Sequence, residues 1–164
     1  MGNSKERVFA GLVGDMPVGS LTEVPLSGDT DMPVNALVAN VHGAYYATTS
    51  KCTHYGLSLT KGILTDEGRL YCPFHGACYK VMTGDIEDAP ALEPLKTFEV
   101  KVEDGKVYIF VDYEALNQSS WKPCKHSSSQ SRSGPHTVFV GCGAVTLHAV
   151  QEMRRCGYEG RITV

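Results

Sequence analysis

Four side chains in two short stretches have the types and spacing to hold metal: Cys52-x-His54 and, after seventeen intervening residues, Cys72-x-x-His75. Two thiolates and two imidazoles can surround a single zinc ion tetrahedrally. They can also hold a two-iron, two-sulfide cluster, with the cysteines on one iron and the histidines on the other. Small zinc modules tend to pair cysteine with cysteine in one knuckle and histidine with histidine on a helix. Here each stretch supplies one of each, so each can reach both metals of a binuclear centre. The pattern favours iron and sulfide, with a structural zinc module as the alternative. Gly56, Gly62 and Gly76 lie beside these residues. They are expected to turn the backbone through positive φ and bring N–H groups close to anionic sulfur.

The finer context, Cys52-Thr53-His54 and Cys72-Pro73-Phe74-His75-Gly76, resembles the Rieske family. The resemblance implies a [2Fe-2S] cluster with Cys52, His54, Cys72 and His75 as metal ligands. It also implies that Tyr79 donates a hydrogen bond to a ligand thiolate, and that a proline-containing third loop, DAPALEP at 88–94, covers the cluster. Two ferric ions, two sulfides and two thiolates sum to zero charge, whereas four thiolates would leave a dianion. An electron adds more easily to the neutral centre, which moves its potential into a range of about −150 to +300 mV. The imidazole N–H groups of His54 and His75 are expected to face solvent, so that reduction couples to protonation and either ring can pass the electron to a partner. High-potential respiratory members of the family carry a disulfide cysteine in each loop and a serine bonded to a sulfide. Leu57, Phe74 and Ala77 occupy those places, so a low-to-middling, ferredoxin-type potential is expected. Cys78 reads as a small buried residue rather than a fifth ligand.

The elements that must position these residues are strands. From Arg7 to Tyr113 short β-type runs alternate with turn residues and helical periodicity is missing, which predicts an all-β domain over 7–113. The family resemblance makes it an antiparallel β-sandwich of small sheets with a two-loop cluster-binding subdomain. FEVKVEDGKVYIFV, 98–111, alternates through Phe98, Val100 and Val102, turns at Asp104-Gly105 and alternates again through Val107, Ile109 and Val111, the pattern of a hairpin. LTEVPL (21–26), ALVANV (36–41) and AYYATT (44–49) read as further strands, the last two joined by a turn at His42-Gly43.

Residues 114–136 hold seven serines and two prolines and read as a linker. Beyond it, TVFV (137–140), Gly141-Cys142-Gly143, a helical pattern through Val145, Leu147, Val150 and Met153, a stop at Gly157 and RITV (161–164) form an incomplete βαβ segment. That order places a pyrophosphate at a helix N-terminus. It resembles the first unit of FAD-dependent pyridine-nucleotide oxidoreductases, with Gly141 and Gly143 as the dinucleotide turn and Thr146 in place of the third glycine. A fragment this short cannot bury enough surface to bind a dinucleotide by itself, so FAD is doubtful and the segment reads as a truncated Rossmann-like start. The whole order resembles apoptosis-inducing-factor-like Rieske flavoproteins. That implies a ferredoxin module serving a flavin domain or a redox partner protein. A stand-alone ferredoxin serving an oxygenase system is the alternative. Cys142 and Cys156 read as structural, and Cys124 as exposed in the linker.

Fifteen Lys and Arg against eighteen Asp and Glu leave a net charge of −3, too balanced for a nucleic-acid footprint. No apolar run approaches the roughly 18 residues of a membrane span, and MGNSKERVFAG lacks the apolar stretch of a secretory leader. The chain reads as soluble and cytoplasmic, with mitochondrial association left open, and its six cysteines favour metal or redox chemistry over disulfides. The remaining histidines, His42, His126, His136 and His148, are scattered, which argues against the mononuclear iron of an oxygenase.

Overall fold

The computed structural model describes residues 5–26, 34–91, 93–117 and 134–164. The chain divides into two compact units, Met1–Ser120 and Trp121–Val164.

In the first unit the strands β1 (Glu6–Leu12), β2 (Leu21–Leu26), β3 (Val34–Val41), β4 (Ala44–Thr49), β9 (Thr97–Glu103) and β10 (Lys106–Val111) form one antiparallel sheet in the order β1-β10-β9-β4-β3-β2. Both expected hairpins form. His42 and Gly43 turn β3 into β4 at φ of +52° and +88°, and Asp104 and Gly105 turn β9 into β10 at +49° and +72°. Positive φ at both central positions matches the twist of the flanking strands. Along β10 the alternation is clean, with Val107, Ile109 and Val111 buried. On β9 it fails at its end, where Val102 beside the turn is half exposed rather than in the core. β1, with a bulge between Phe9 and Gly11, is an edge strand that the sequence pattern did not reveal.

β3 explains how the site is carried. Its apolar run is buried on both faces: Ala36 and Val38 join Val24, Val107, Ile109 and Val111 in one core, and Leu37, Ala39 and Val41 join a second core beneath the metal-type loops. Asn40 is pinned in the interior, donating to the Met16 carbonyl at 2.6 Å and accepting from the Gly43 N–H at 2.8 Å. The second core is closed by a small antiparallel sheet of β5 (Ile63–Leu64), β6 (Arg69–Tyr71), β7 (Cys78–Lys80) and β8 (Ile86–Asp88). These strands are two or three residues long, too short to show a period. A single-turn helix, α1 (Tyr113–Asn117), follows β10. The expectation of an all-β, antiparallel architecture holds for this unit.

In the second unit β11 (Thr137–Val138), α2 (Ala144–Arg155) and β12 (Ile162–Thr163) make a βαβ segment in which the two strands pair in parallel, Thr137 with Ile162 and Val138 with Thr163. The strand expected over 137–140 is only two residues long. Gly157 ends the helix at φ +84°. Cys142 and Cys156 are exposed, so neither packs as a structural residue, and Cys124 lies outside the described residues. Among the described residues no helix is long and apolar enough to cross a membrane.

Candidate metal centre

The two metal-type loops are built on the same backbone frame. In the first, Cys52 N–H donates to the Leu57 carbonyl at 2.8 Å and Gly56 N–H donates to the Cys52 carbonyl at 2.8 Å. In the second, Cys72 N–H donates to the Ala77 carbonyl at 2.8 Å and Gly76 N–H to the Cys72 carbonyl at 3.1 Å. Gly56 and Gly76 close these turns at φ of +71° and +76°. Nothing stands within 4 Å of where a Cβ would lie on either, so the demand for glycine is conformational. Gly62 departs from expectation because its φ is not in the left-handed region. A Cβ there would meet the Tyr71 and Leu59 carbonyl oxygens at 2.6 and 2.9 Å, so its role is close backbone approach.

Equivalent frames give equivalent positions. Cys52 and Cys72 lie at the base, 2% and 3% exposed, in the same buried cluster. His54 is half-buried and His75 exposed, and their rings meet nearly perpendicular, 4.9 Å between centroids. His54 Nδ1 is buried with no hydrogen-bond partner. A desolvated nitrogen left unpaired costs about 1–3 kcal/mol, and a metal ion is a partner that suits its lone pair. The donor set of two thiols and two imidazoles therefore fits a cluster of iron and sulfide. Among the described residues no group of three or more His, Cys, Asp or Glu converges closely enough to hold a single ion. The four instead divide into a buried thiol pair and an outer imidazole pair.

Beneath them, Tyr79 is fully buried on β7. Its hydroxyl lies 3.2 Å from Cys52 Sγ, 3.0 Å from Thr53 Oγ1 and 3.0 Å from the Thr53 N–H, which donates to it. Burial, then the contact with Cys52, pushes the Tyr79 phenol well above its ordinary value, so it keeps its proton. Thr53 Oγ1 in turn donates to the Glu93 carbonyl at 2.7 Å, tying the first loop to the third. Sequence reasoning missed Thr53, although a hydroxyl set between two ligand-type residues was the available clue. At the rim, Tyr55 lies against His54 at 4.0 Å between ring centroids and edge-on to His75 at 5.7 Å. Tyr55, Leu57 and Phe74 are exposed there. Cys78 is buried, and burial raises its thiol.

Gly141 and Gly143 belong to the second unit. Gly141 has φ +106° and Gly143 caps α2 without a side-chain hydrogen bond. Thr146, standing where a third glycine was expected, turns its hydroxyl back to the Gly141 carbonyl at 2.8 Å.

The family model for the Rieske [2Fe-2S] domain matches residues 6–99. The chain belongs to the Rieske family. It is a Rieske-type electron-transfer protein whose cofactor is a [2Fe-2S] cluster. It is similar to human apoptosis-inducing factor 3, 36% identical over 156 residues that cover 93% of this chain and 25% of that protein. The chain thus spans a quarter of the length of that curated relative. It is also similar to the 3-phenylpropionate/cinnamic acid dioxygenase ferredoxin subunit of Escherichia coli strain K12, 37% identical over 103 residues, 63% of this chain and 92% of the subunit. Among solved structures, the Sphingomonas yanoikuyae B1 ferredoxin is 31% identical with a TM-score of 0.55, covering 65% of this chain and 99% of that one. A chain from a complex of oxygenase and ferredoxin in carbazole 1,9a-dioxygenase is 34% identical with a TM-score of 0.58, covering 63% of this Rieske chain and 92% of its own.

Proposed function

We propose that Cys52 and Cys72 bind one iron, that His54 and His75 bind the other, and that the chain is the ferredoxin module of a flavin-linked oxidoreductase. The observation that carries the ligand assignment is the matched pair of loop frames. They bury both thiols at the base and bring the two imidazoles together at the tip, with His54 Nδ1 buried and unpartnered. The bound cluster supplies one-electron storage. The chain's residues do the rest: the burial of Cys52 and Cys72 at the loop bases excludes water from the thiolate side, the Tyr79 hydroxyl lies against Cys52, and the imidazole rings at the tip face the partner. With Leu57, Phe74 and Ala77 in place of disulfide cysteines and a serine, the potential falls in the ferredoxin range.

The flavin link is supported by the reach of the similarity, which runs over 93% of the chain and so past the Rieske domain. In that reading 7–113 is the cluster domain, 114–136 the linker and 137–164 the start of a dinucleotide-binding domain, with Gly141 and Gly143 in its turn and FAD bound only by a more complete domain. A second reading, a stand-alone ferredoxin for an oxygenase system, is supported by the near-complete coverage of the ferredoxin subunit. Either way the partner is a redox protein, and iron-ligating cysteines with a buried, unbridged Cys78 beside them suit a reducing, cytoplasmic setting.

The purified chain is expected to be brown-red, with two irons per chain and a rhombic EPR signal after reduction. A colourless protein with stoichiometric zinc refutes the ligand assignment. Reduction by NADH through an added flavin domain of the apoptosis-inducing-factor type, and not through an oxygenase reductase, selects the first reading; the opposite preference selects the second.

A further inference from the structure

We propose that Thr53 is a positioning residue that couples the seating of the third loop to the hydrogen bond between Tyr79 and Cys52. The inference rests on Cys52 being a cluster ligand. Thr53 Oγ1 is 2.7 Å from the Glu93 carbonyl. A carbonyl only accepts, so the single Thr53 proton points there. The Glu93 N–H approaches the same oxygen at 3.4 Å, a second and weaker point of the clasp.

Tyr79 is the other party. Its oxygen accepts the Thr53 N–H at 3.0 Å, and its one proton has two acceptors in reach, Thr53 Oγ1 at 3.0 Å and Cys52 Sγ at 3.2 Å. While Glu93 holds the Thr53 proton, Thr53 Oγ1 presents only lone pairs to Tyr79 and competes with the sulfur. When the third loop lifts, the Thr53 proton is free to turn onto the Tyr79 oxygen, and the Tyr79 proton goes undivided to Cys52. A hydrogen bond to a thiolate withdraws charge from the sulfur and eases reduction. The seated loop therefore holds the potential down, and an event that lifts it, such as partner docking, raises it.

The test uses the full chain as wild type, Thr53→Val, which deletes the hydroxyl at similar size, and Thr53→Ser, which keeps it. Each is titrated potentiometrically and its visible spectrum followed in excess ferrozine. Thr53→Val is expected to have a higher midpoint potential than wild type and to bleach about five- to tenfold faster, the worth of one buried hydrogen bond. Thr53→Ser is expected to match wild type in both. An unchanged or lower potential in Thr53→Val, or a Thr53→Ser variant that behaves like Thr53→Val, overturns the proposal. Should Thr53→Val fail to hold iron, amide exchange of the apo chains decides. Faster exchange at Glu93 in Thr53→Val than in Thr53→Ser is expected, and equal exchange overturns the coupling. Wild type without iron overturns the ligand assignment itself, and the inference with it.

Discussion

Cys52 and Cys72 sit in loops closed by the same two backbone hydrogen bonds and turned by a glycine four residues on, yet their surroundings differ. Cys52 has the Tyr79 hydroxyl on its sulfur and, through Thr53, a tie to the third loop. Cys72 has no such side-chain partner among the described residues. The backbone frame is thus duplicated, which suits a centre whose cysteines share one iron, while the hydrogen bonding is one-sided. On the proposed ligand assignment, that asymmetry gives holding the cluster and tuning it to different residues: the loops would hold, and β7 and the third loop would tune.

The bluntest way to break the comparison is to remove a proposed ligand from each loop. His54→Ala and His75→Ala are each expected to abolish the visible spectrum and the EPR signal completely, since an iron left with one protein ligand is not retained. If one variant keeps a full spectrum, the loops are not equivalent and the ligand set is wrong.

Next in size is Gly62→Ala. The methyl would meet two carbonyl oxygens below 3 Å, those of Tyr71 on β6 and Leu59 in the first loop, backbone atoms that cannot step aside without moving the strand or the loop. A loss of about 2–3 kcal/mol in denaturant unfolding is expected. A near-neutral variant would show that the first loop does not depend on its approach to β6.

Tyr79→Phe sharpens the asymmetry. It leaves the Thr53 N–H without its acceptor, a cost of about 1–3 kcal/mol, and removes the donor from Cys52, so the midpoint potential is expected to fall. Its pH dependence has a definite sign. The folded-state phenol is raised, so below the unfolded value of about 10 both states keep the proton and stability is unaffected. As pH rises beyond that value the unfolded chain ionises first, and wild type loses stability that Tyr79→Phe retains. Alkaline unfolding curves that fall in parallel would contradict the buried, protonated phenol.

The unevenness of what could be read from the sequence follows from the same physics. The hairpins at His42-Gly43 and Asp104-Gly105 were legible because turn chemistry and period-2 alternation are local. β5 to β8 were not, because strands of two or three residues carry no period. The four metal-type side chains stood out by type and spacing, and what the structure adds is that the two loops carrying them share one backbone frame. The role of Gly62 was misjudged because a close approach to Tyr71 and Leu59 is a property of packing, while Gly56 and Gly76 sit in turns whose residues are contiguous. Thr53 and Glu93 are forty residues apart, and the partner of Thr53 is a backbone carbonyl, which no residue type advertises. Val145 and Leu147 keep the helical period on α2 and yet stay exposed, so period alone did not reveal whether a face is covered.

The finest test asks whether the frame is truly duplicated. Gly56 and Gly76 share left-handed φ and open space at Cβ, so an added methyl meets no atom and its cost is that of the backbone conformation alone. Gly56→Ala and Gly76→Ala are therefore each expected to lose about 1–2 kcal/mol in denaturant unfolding and to differ from each other by less than about 0.5 kcal/mol. Their potentials should stay unequal in sensitivity. Distortion at Gly56 reaches Cys52 and the Tyr79 contact, while distortion at Gly76 reaches a sulfur with no such contact. Equal stability losses with a potential shift confined to Gly56→Ala would place the tuning on the Cys52 side. Equal shifts in both would mean that the frame itself, through its N–H groups, sets the potential.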